Sequence, residues 1–136
     1  MASNIGCPKI IYNLCPAKIK NQKIMKYIDR EIDLYWIHIQ SGGSGTSKKI
    51  YPQALIRCYS GDDLVLQATF YKDGSKFPEN HYDKRNKLVY LRYPLYMYPN
   101  ILDLLRNEKP IFFRYAIELK QGFIRTGKEP VGEGDY

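Results

Sequence analysis

Long apolar runs are missing from this sequence. No stretch reaches the 18 or so consecutive apolar residues of a membrane-spanning helix, so neither such a helix nor a membrane partner is expected. The opening MASNIGCPKIIYNLCP has no charged segment followed by a long apolar one, so no secretory signal is expected either. Cysteine is scarce and odd in number: Cys7, Cys15 and Cys58 are the three. Free thiols in a reducing cytoplasm are the expectation. Histidine is scarcer still, with His38 and His81 alone. Cys7 and Cys15 are eight positions apart, outside the spacing of structural zinc sites. The cysteines read better as small buried hydrophobes, and no metal or cofactor is expected.

Catalytic patterns are missing too. There is no Gly-x-Ser-x-Gly elbow. Cys58 with His38 or His81 is the thiol–imidazole pairing on offer; in such an enzyme Cys58 would be the fast-reacting thiol. Asp62, Asp63 and Asp73 fall in turn signals, where aspartate bonds to backbone N–H groups. The stretch GGSGTSKK is Gly-rich, follows a strand and ends in lysine. A phosphate-binding loop needs glycine directly before Lys-Ser/Thr and a helix after it. Here Ser47 precedes Lys48, and Pro52 and a strand follow. It reads as a flexible loop whose Lys48 and Lys49 are free to touch a polyanion. No catalytic residue is assigned, and an enzyme ranks third among the function classes.

What the chain does have is basic charge and tyrosine. Its 21 Lys and Arg exceed its 14 Asp and Glu, for a net +7. That bears on polyanionic partners and not on fold. Residues 1–30 hold Lys9, Lys18, Lys20, Lys23, Lys26 and Arg30 against Asp29 alone. Tyrosine supplies 13 residues where Phe and Trp together supply six. Tyrosine favours half-buried strands, because its ring packs while its hydroxyl stays wet.

The pattern of elements agrees. Residues 8–14 suit a short strand. Residues 17–33 stay open: Ile24, Ile28 and Ile32 recur at helical spacing, while Asp29, Glu31 and Asp33 alternate as on a wet strand face. Strands are expected at 34–40, 53–60, 64–72 and 87–93. In 64–72, Leu64, Leu66, Ala68 and Phe70 form the buried face and Gln67, Thr69 and Tyr71 the wet one. The polar stretch through PENHYDKRN between the last two reads as loop. Pro99 opens a short helix with the stripe Ile101, Leu104 and Leu105, and Lys109-Pro110 closes it. In PIFFRYAIEL, Ile111, Phe113, Tyr115, Ile117 and Leu119 face one way; KQG then turns the chain into FIRT. The 136 residues suit one domain, with residues 1–128 globular and 129–136 a polar, Gly-rich tail. The expected fold is mainly β: a small antiparallel barrel or sandwich of six to seven strands with one short helix near 99–107. An α+β layout with a second helix in 17–33 is the alternative.

The stretch LVYLRYPLYMY, residues 88–98, carries the sharpest functional hint. Val89, Leu91 and Tyr93 share the core face. Tyr90 and Arg92 share the other face, with Leu88. Rings and cations on an open sheet face are the ingredients for binding single-stranded nucleic acid. The lysines Lys18, Lys20, Lys23, Lys26, Lys48 and Lys49 would add phosphate contacts. The first expectation is nevertheless a non-catalytic module that self-associates or binds another protein, since Tyr and Arg are enriched at interfaces. Its candidate interface is Phe112 and Arg114 on the outer face of the last long strand, with Tyr96 and Tyr98 leading into the helix. Single-stranded nucleic-acid binding is the alternative.

Overall fold

A computed structural model of the chain describes residues 25–41 and 51–132. Eight strands and one helix follow in order: β1 (Tyr27–Ile32), β2 (Leu34–Ile39), β3 (Pro52–Ser60), β4 (Asp63–Tyr71), β5 (His81–Asp83), β6 (Leu88–Pro94), α1 (Tyr98–Asn107), β7 (Ile111–Ala116) and β8 (Gln121–Thr126). Strands make up 53% of the described residues, so the fold is mainly β as expected. They form two sheets, β1-β7-β8 and β2-β3-β4-β6-β5, which pack sandwich-like without closing into a barrel.

The apolar sets that alternate along each strand meet between the sheets. Ile56, Cys58, Leu66, Phe70, Val89 and Leu91 come from the larger sheet, and Ile111, Phe113 and Tyr115 from the smaller. The helix adds Ile101, with Leu104 and Leu105 packed beside it. Its first turn holds Pro99, and Tyr98 meets Phe70 edge-on at 5.1 Å. It ends at an extended Glu108, before the cis Lys109–Pro110 bond.

Residues 27–32 are strand, so the helix alternative fails there; residues 17–24 and the strand expected at 8–14 lie outside the described residues. The larger sheet is not wholly antiparallel, because β4 and β6 run parallel. Residues 72–87 supply the crossover of a dozen or more residues that a parallel pair requires. Within them β5, in the stretch expected to be loop, pairs back on β6. The second face of β4 is not wet throughout. Thr69 and Tyr71 are buried, because the chain after β4 folds back over them and Phe77 stacks on Tyr71 at 5.1 Å.

The β7–β8 hairpin also turns earlier than KQG. Ala116 already pairs with Gln121, so Ile117 and Leu119 are in the turn and Leu119 is exposed. Lys120 closes the turn in the left-handed region, at φ 51°. Gly122 belongs to β8. A side chain there would sit 2.7 Å from the Arg114 carbonyl oxygen and 3.0 Å from Leu91 Cδ2, so close approach of β8 to the core requires glycine.

Candidate nucleic-acid interface

The strand registers of the larger sheet align one residue from each of its five strands in a single row. Trp36 lies opposite Arg57, Arg57 opposite Gln67, Gln67 opposite Tyr90, and Tyr90 opposite His81. Directly opposed residues leave the same face of a sheet. The row therefore crosses the face turned away from the core, and at about 4.8 Å per strand step it is about 19 Å long.

Its members are locked to one another. The Arg57 guanidinium sits 4.8 Å over the Trp36 ring, and its Nε donates to Gln67 Oε1 at 3.2 Å. Trp36 Nε1 donates to the Tyr59 hydroxyl at 3.0 Å. At the other end the His81 and Tyr90 rings stack at 6.2 Å, 22° apart. The indole and the phenol are thus held in fixed positions, with a guanidinium and an amide between them.

A groove of about 670 Å³ opens over the middle of this row. Arg57, Gln67 and Tyr90 are on its floor, and Arg30 and Lys87 reach it from the rim. Lys87 is held there by a tight turn. The Asp83 carboxylate accepts the Arg85 and Asn86 backbone N–H groups at 3.0 and 3.2 Å and the Asn86 side-chain amide at 2.7 Å. The Asn86 bonds hold the Asp83 carboxyl below its usual pKa. Lys87 follows in the left-handed region at φ 53°. Asp62 and Asp63 also line the groove, and Arg30 pairs with Asp63 at 3.5 Å.

Tyr90 and Arg92 share this face, as the alternation predicts, but differ in role. Arg92 lies 5.1 Å over the Tyr90 ring. Its Nε donates to the Glu79 carbonyl at 3.3 Å and its Nη1 to the Tyr71 hydroxyl at 3.3 Å. Its backbone N–H donates to Asn80 Oδ1 at 2.7 Å. Arg92 therefore ties down the crossover and braces the Tyr90 ring, whereas Tyr90 itself lines the groove. Of the lysines, Lys26 is exposed just ahead of β1, on the smaller sheet. Lys18, Lys20, Lys23, Lys48 and Lys49 lie outside the described residues.

The candidate protein interface is scattered. Phe112 and Arg114 are on the outer face of the smaller sheet. Arg114 is engaged by Asp29, donating from Nη2 at 2.6 Å, and lies 4.9 Å over Tyr27. Arg125 covers Phe112 at 4.7 Å. Tyr98 packs on the core, while Tyr96 is 66% exposed with its backbone N–H bonded to Asp73 at 2.9 Å. Cys58 is fully buried, and burial pushes its thiol up to about 12. It cannot be the fast-reacting thiol of an enzyme. Among the described residues no group of three or more His, Cys, Asp or Glu converges as a metal site would.

Trp36, Arg57, Gln67 and His81 were not legible as site residues from the sequence, because each is ordinary in its own strand. The available signal was the alternation that puts Trp36 and His38 opposite Ile37. Only the registers join them to Tyr90. Comparison with protein families, curated proteins and solved structures finds no match to this chain, so the geometry alone carries the functional reading.

Proposed function

We propose that this protein binds single-stranded nucleic acid along the groove on the outer face of the five-stranded sheet. The observation that carries the reading is the cross-strand row Trp36–Arg57–Gln67–Tyr90–His81. Every base has a π-face, so fixed aromatic rings beside cations bind single strands with little regard to sequence. In this reading Tyr90 and Trp36 stack on bases, and His81 backs the Tyr90 ring. Arg57 and Gln67 face base edges or sugars between them. Arg30 and Lys87 meet phosphates at the rim. Lys48 and Lys49, in the sequence between Ser41 and Tyr51, supply further phosphate contacts in this reading. A cytoplasmic setting, with the thiols reduced, belongs to the same reading.

A protein partner on the smaller sheet is the second reading. Tyr27 and Phe123 are about half exposed, at 51% and 49%, and Phe112 lies between charged neighbours there.

Trp36 is the only tryptophan in the chain, so its emission reports on the cross-strand row. Titration with a mixed-sequence single-stranded oligonucleotide is expected to quench Trp36 with a Kd in the micromolar range at moderate salt. Unchanged emission at about 100 μM oligonucleotide, the weak end of typical non-specific affinities, refutes the proposal.

A further inference from the structure

The two sheets have four edges, and three of them are guarded. β5 is only three residues long. β1 carries Asp29, Arg30 and Glu31. β8 carries Gly122 and Arg125. Short strands, charges and irregularities are how proteins keep sheet edges from pairing with other chains. β2, with the sequence LYWIHI, has no formal charge, proline or glycine. It ends its sheet, and among the described residues no strand pairs with its other side. Leu34 and Ile39 are 60% and 71% exposed, and Trp36 39%.

We infer that β2 pairs antiparallel with β2 of a second copy of this chain, joining two five-stranded sheets into one. The hydrogen-bond pattern fits. Gln40 donates its backbone N–H to Gln53 at 2.9 Å, one step beyond the Ile39–Ala54 pair. In an antiparallel ladder, bonded and non-bonded pairs alternate. Leu34, Trp36 and His38 therefore bond to β3, and the N–H and C=O groups of Tyr35, Ile37 and Ile39 point outward. A two-fold axis at Ile37 sets Ile37 against itself and Tyr35 against Ile39, so all three outward-facing residues find outward-facing partners. That self-matching is what a two-fold interface requires. It also sets Trp36 beside the second copy's His38. No like charges meet along the seam, whereas self-pairing of β1 or β8 would set charged strands against each other.

A single six-residue strand offers less than the roughly 800 Å² per partner of a standard interface. A micromolar dimer is therefore expected. If the nucleic-acid reading also holds, the dimer brings the two grooves together on one continuous sheet face.

The test is the light-scattering mass of the full chain without nucleic acid, so its outcome does not depend on that reading. Between about 1 and 300 μM, which brackets the expected Kd, the mass should climb from 15.9 kDa towards twice that value. Ile39→Pro removes an outward N–H that β3 does not use, at an exposed side chain. It should weaken the dimer at least about tenfold. Ile39→Lys, which keeps the N–H and adds charge at the edge, should weaken it too. Both variants should melt as cooperatively as the parent chain. A mass of 15.9 kDa throughout, or a dimer indifferent to both substitutions, overturns the inference.

Discussion

Tyr90 and Leu91 are neighbours in β6 whose side chains leave opposite faces of the same sheet. Tyr90 is half-buried at the groove, between His81 at 6.2 Å and Arg92 at 5.1 Å. Leu91 is 2% exposed and belongs to the core. Substituting each by alanine should therefore separate binding from folding. If the Tyr90 ring stacks on a base, losing it costs about 1–3 kcal/mol of binding free energy, which is roughly a 5- to 150-fold rise in Kd. Its cost to the fold is about 1 kcal/mol, because one cross-strand contact and one partly exposed cation–π contact go with it. Leu91→Ala removes a buried side chain and leaves a cavity, at about 2–5 kcal/mol. For a chain of this size that lowers the melting temperature by about 10 °C without altering the groove. The assay is Trp36 quenching by oligonucleotide, paired with a thermal melt. Tyr90→Phe keeps the ring and should bind as the parent does. Parent-like affinity in Tyr90→Ala, or a loss of affinity in Leu91→Ala as large as in Tyr90→Ala at temperatures where both are folded, would refute the assignment of faces to functions.

Three further outcomes follow from the same geometry. Phosphate contacts from Arg30, Lys87, Lys48 and Lys49 imply a log–log salt slope near −3, or a roughly 50-fold loss of affinity between about 50 and 200 mM salt; a flat titration curve would rule these contacts out. Burial pushes the Cys58 thiol up to about 12 and the Tyr93 hydroxyl also up to about 12, so the folded chain keeps protons that the unfolded chain releases from about pH 9 upward. Their stabilisation is fully present below that pH and is lost as pH rises: about 3 kcal/mol from Cys58 and about 1 kcal/mol from Tyr93 by pH 11. Denaturant melts of parent and Cys58→Ala between pH 8 and 11 check this, since parallel curves would contradict it. Gly122→Ala places a methyl group 2.7 Å from the Arg114 carbonyl oxygen and should cost about 1–3 kcal/mol through overpacking, read as a lower melting temperature.

Much of the fold was written in single-strand patterns. Aromatic and β-branched content at 34–40 and alternation at 64–72 and 87–93, with the stretch 53–60, located four strands of the larger sheet to within a residue or so, and the i, i+3, i+4 stripe with Pro99 located the helix. Those signals are local, and one buried face or one proline suffices to produce them. What was missed depends on pairing. The parallel β4–β6 contact and the three-residue β5 arise from how residues 72–87 cross the sheet, held by Asn80 and Glu79 on Arg92. Gly122 reads locally as a turn residue, and only the approach of β8 to Leu91 and the Arg114 carbonyl shows why the position must be bare. The site divides the same way. Alternation puts Tyr90 and Arg92 on one face, but it cannot show that the Arg92 guanidinium bonds back to Tyr71.

That bracing bears on how a binding surface persists on a small sheet. An exposed tyrosine on a strand samples several rotamers, and ordering it on binding costs free energy. Here the Tyr90 ring is flanked by His81 and Arg92, and Arg92 is itself held by Tyr71 and the Glu79 carbonyl. Trp36 is fixed in the same manner by Arg57 on its face and the Tyr59 hydroxyl on its nitrogen. The two rings are thus already held in place in the free chain. Removing a brace while keeping the ring should then weaken binding through lost order and not through a lost contact. Arg92→Gln, which deletes the cation and leaves Tyr90, tests this. It is expected to raise Kd about three- to tenfold, near the 0.5–1.5 kcal/mol typical of one immobilised side chain, with the salt slope unchanged because Arg92 is not among the phosphate contacts. A slope reduced by about 0.7, the share of one phosphate contact, would show that Arg92 meets the nucleic acid directly and that the bracing argument is wrong.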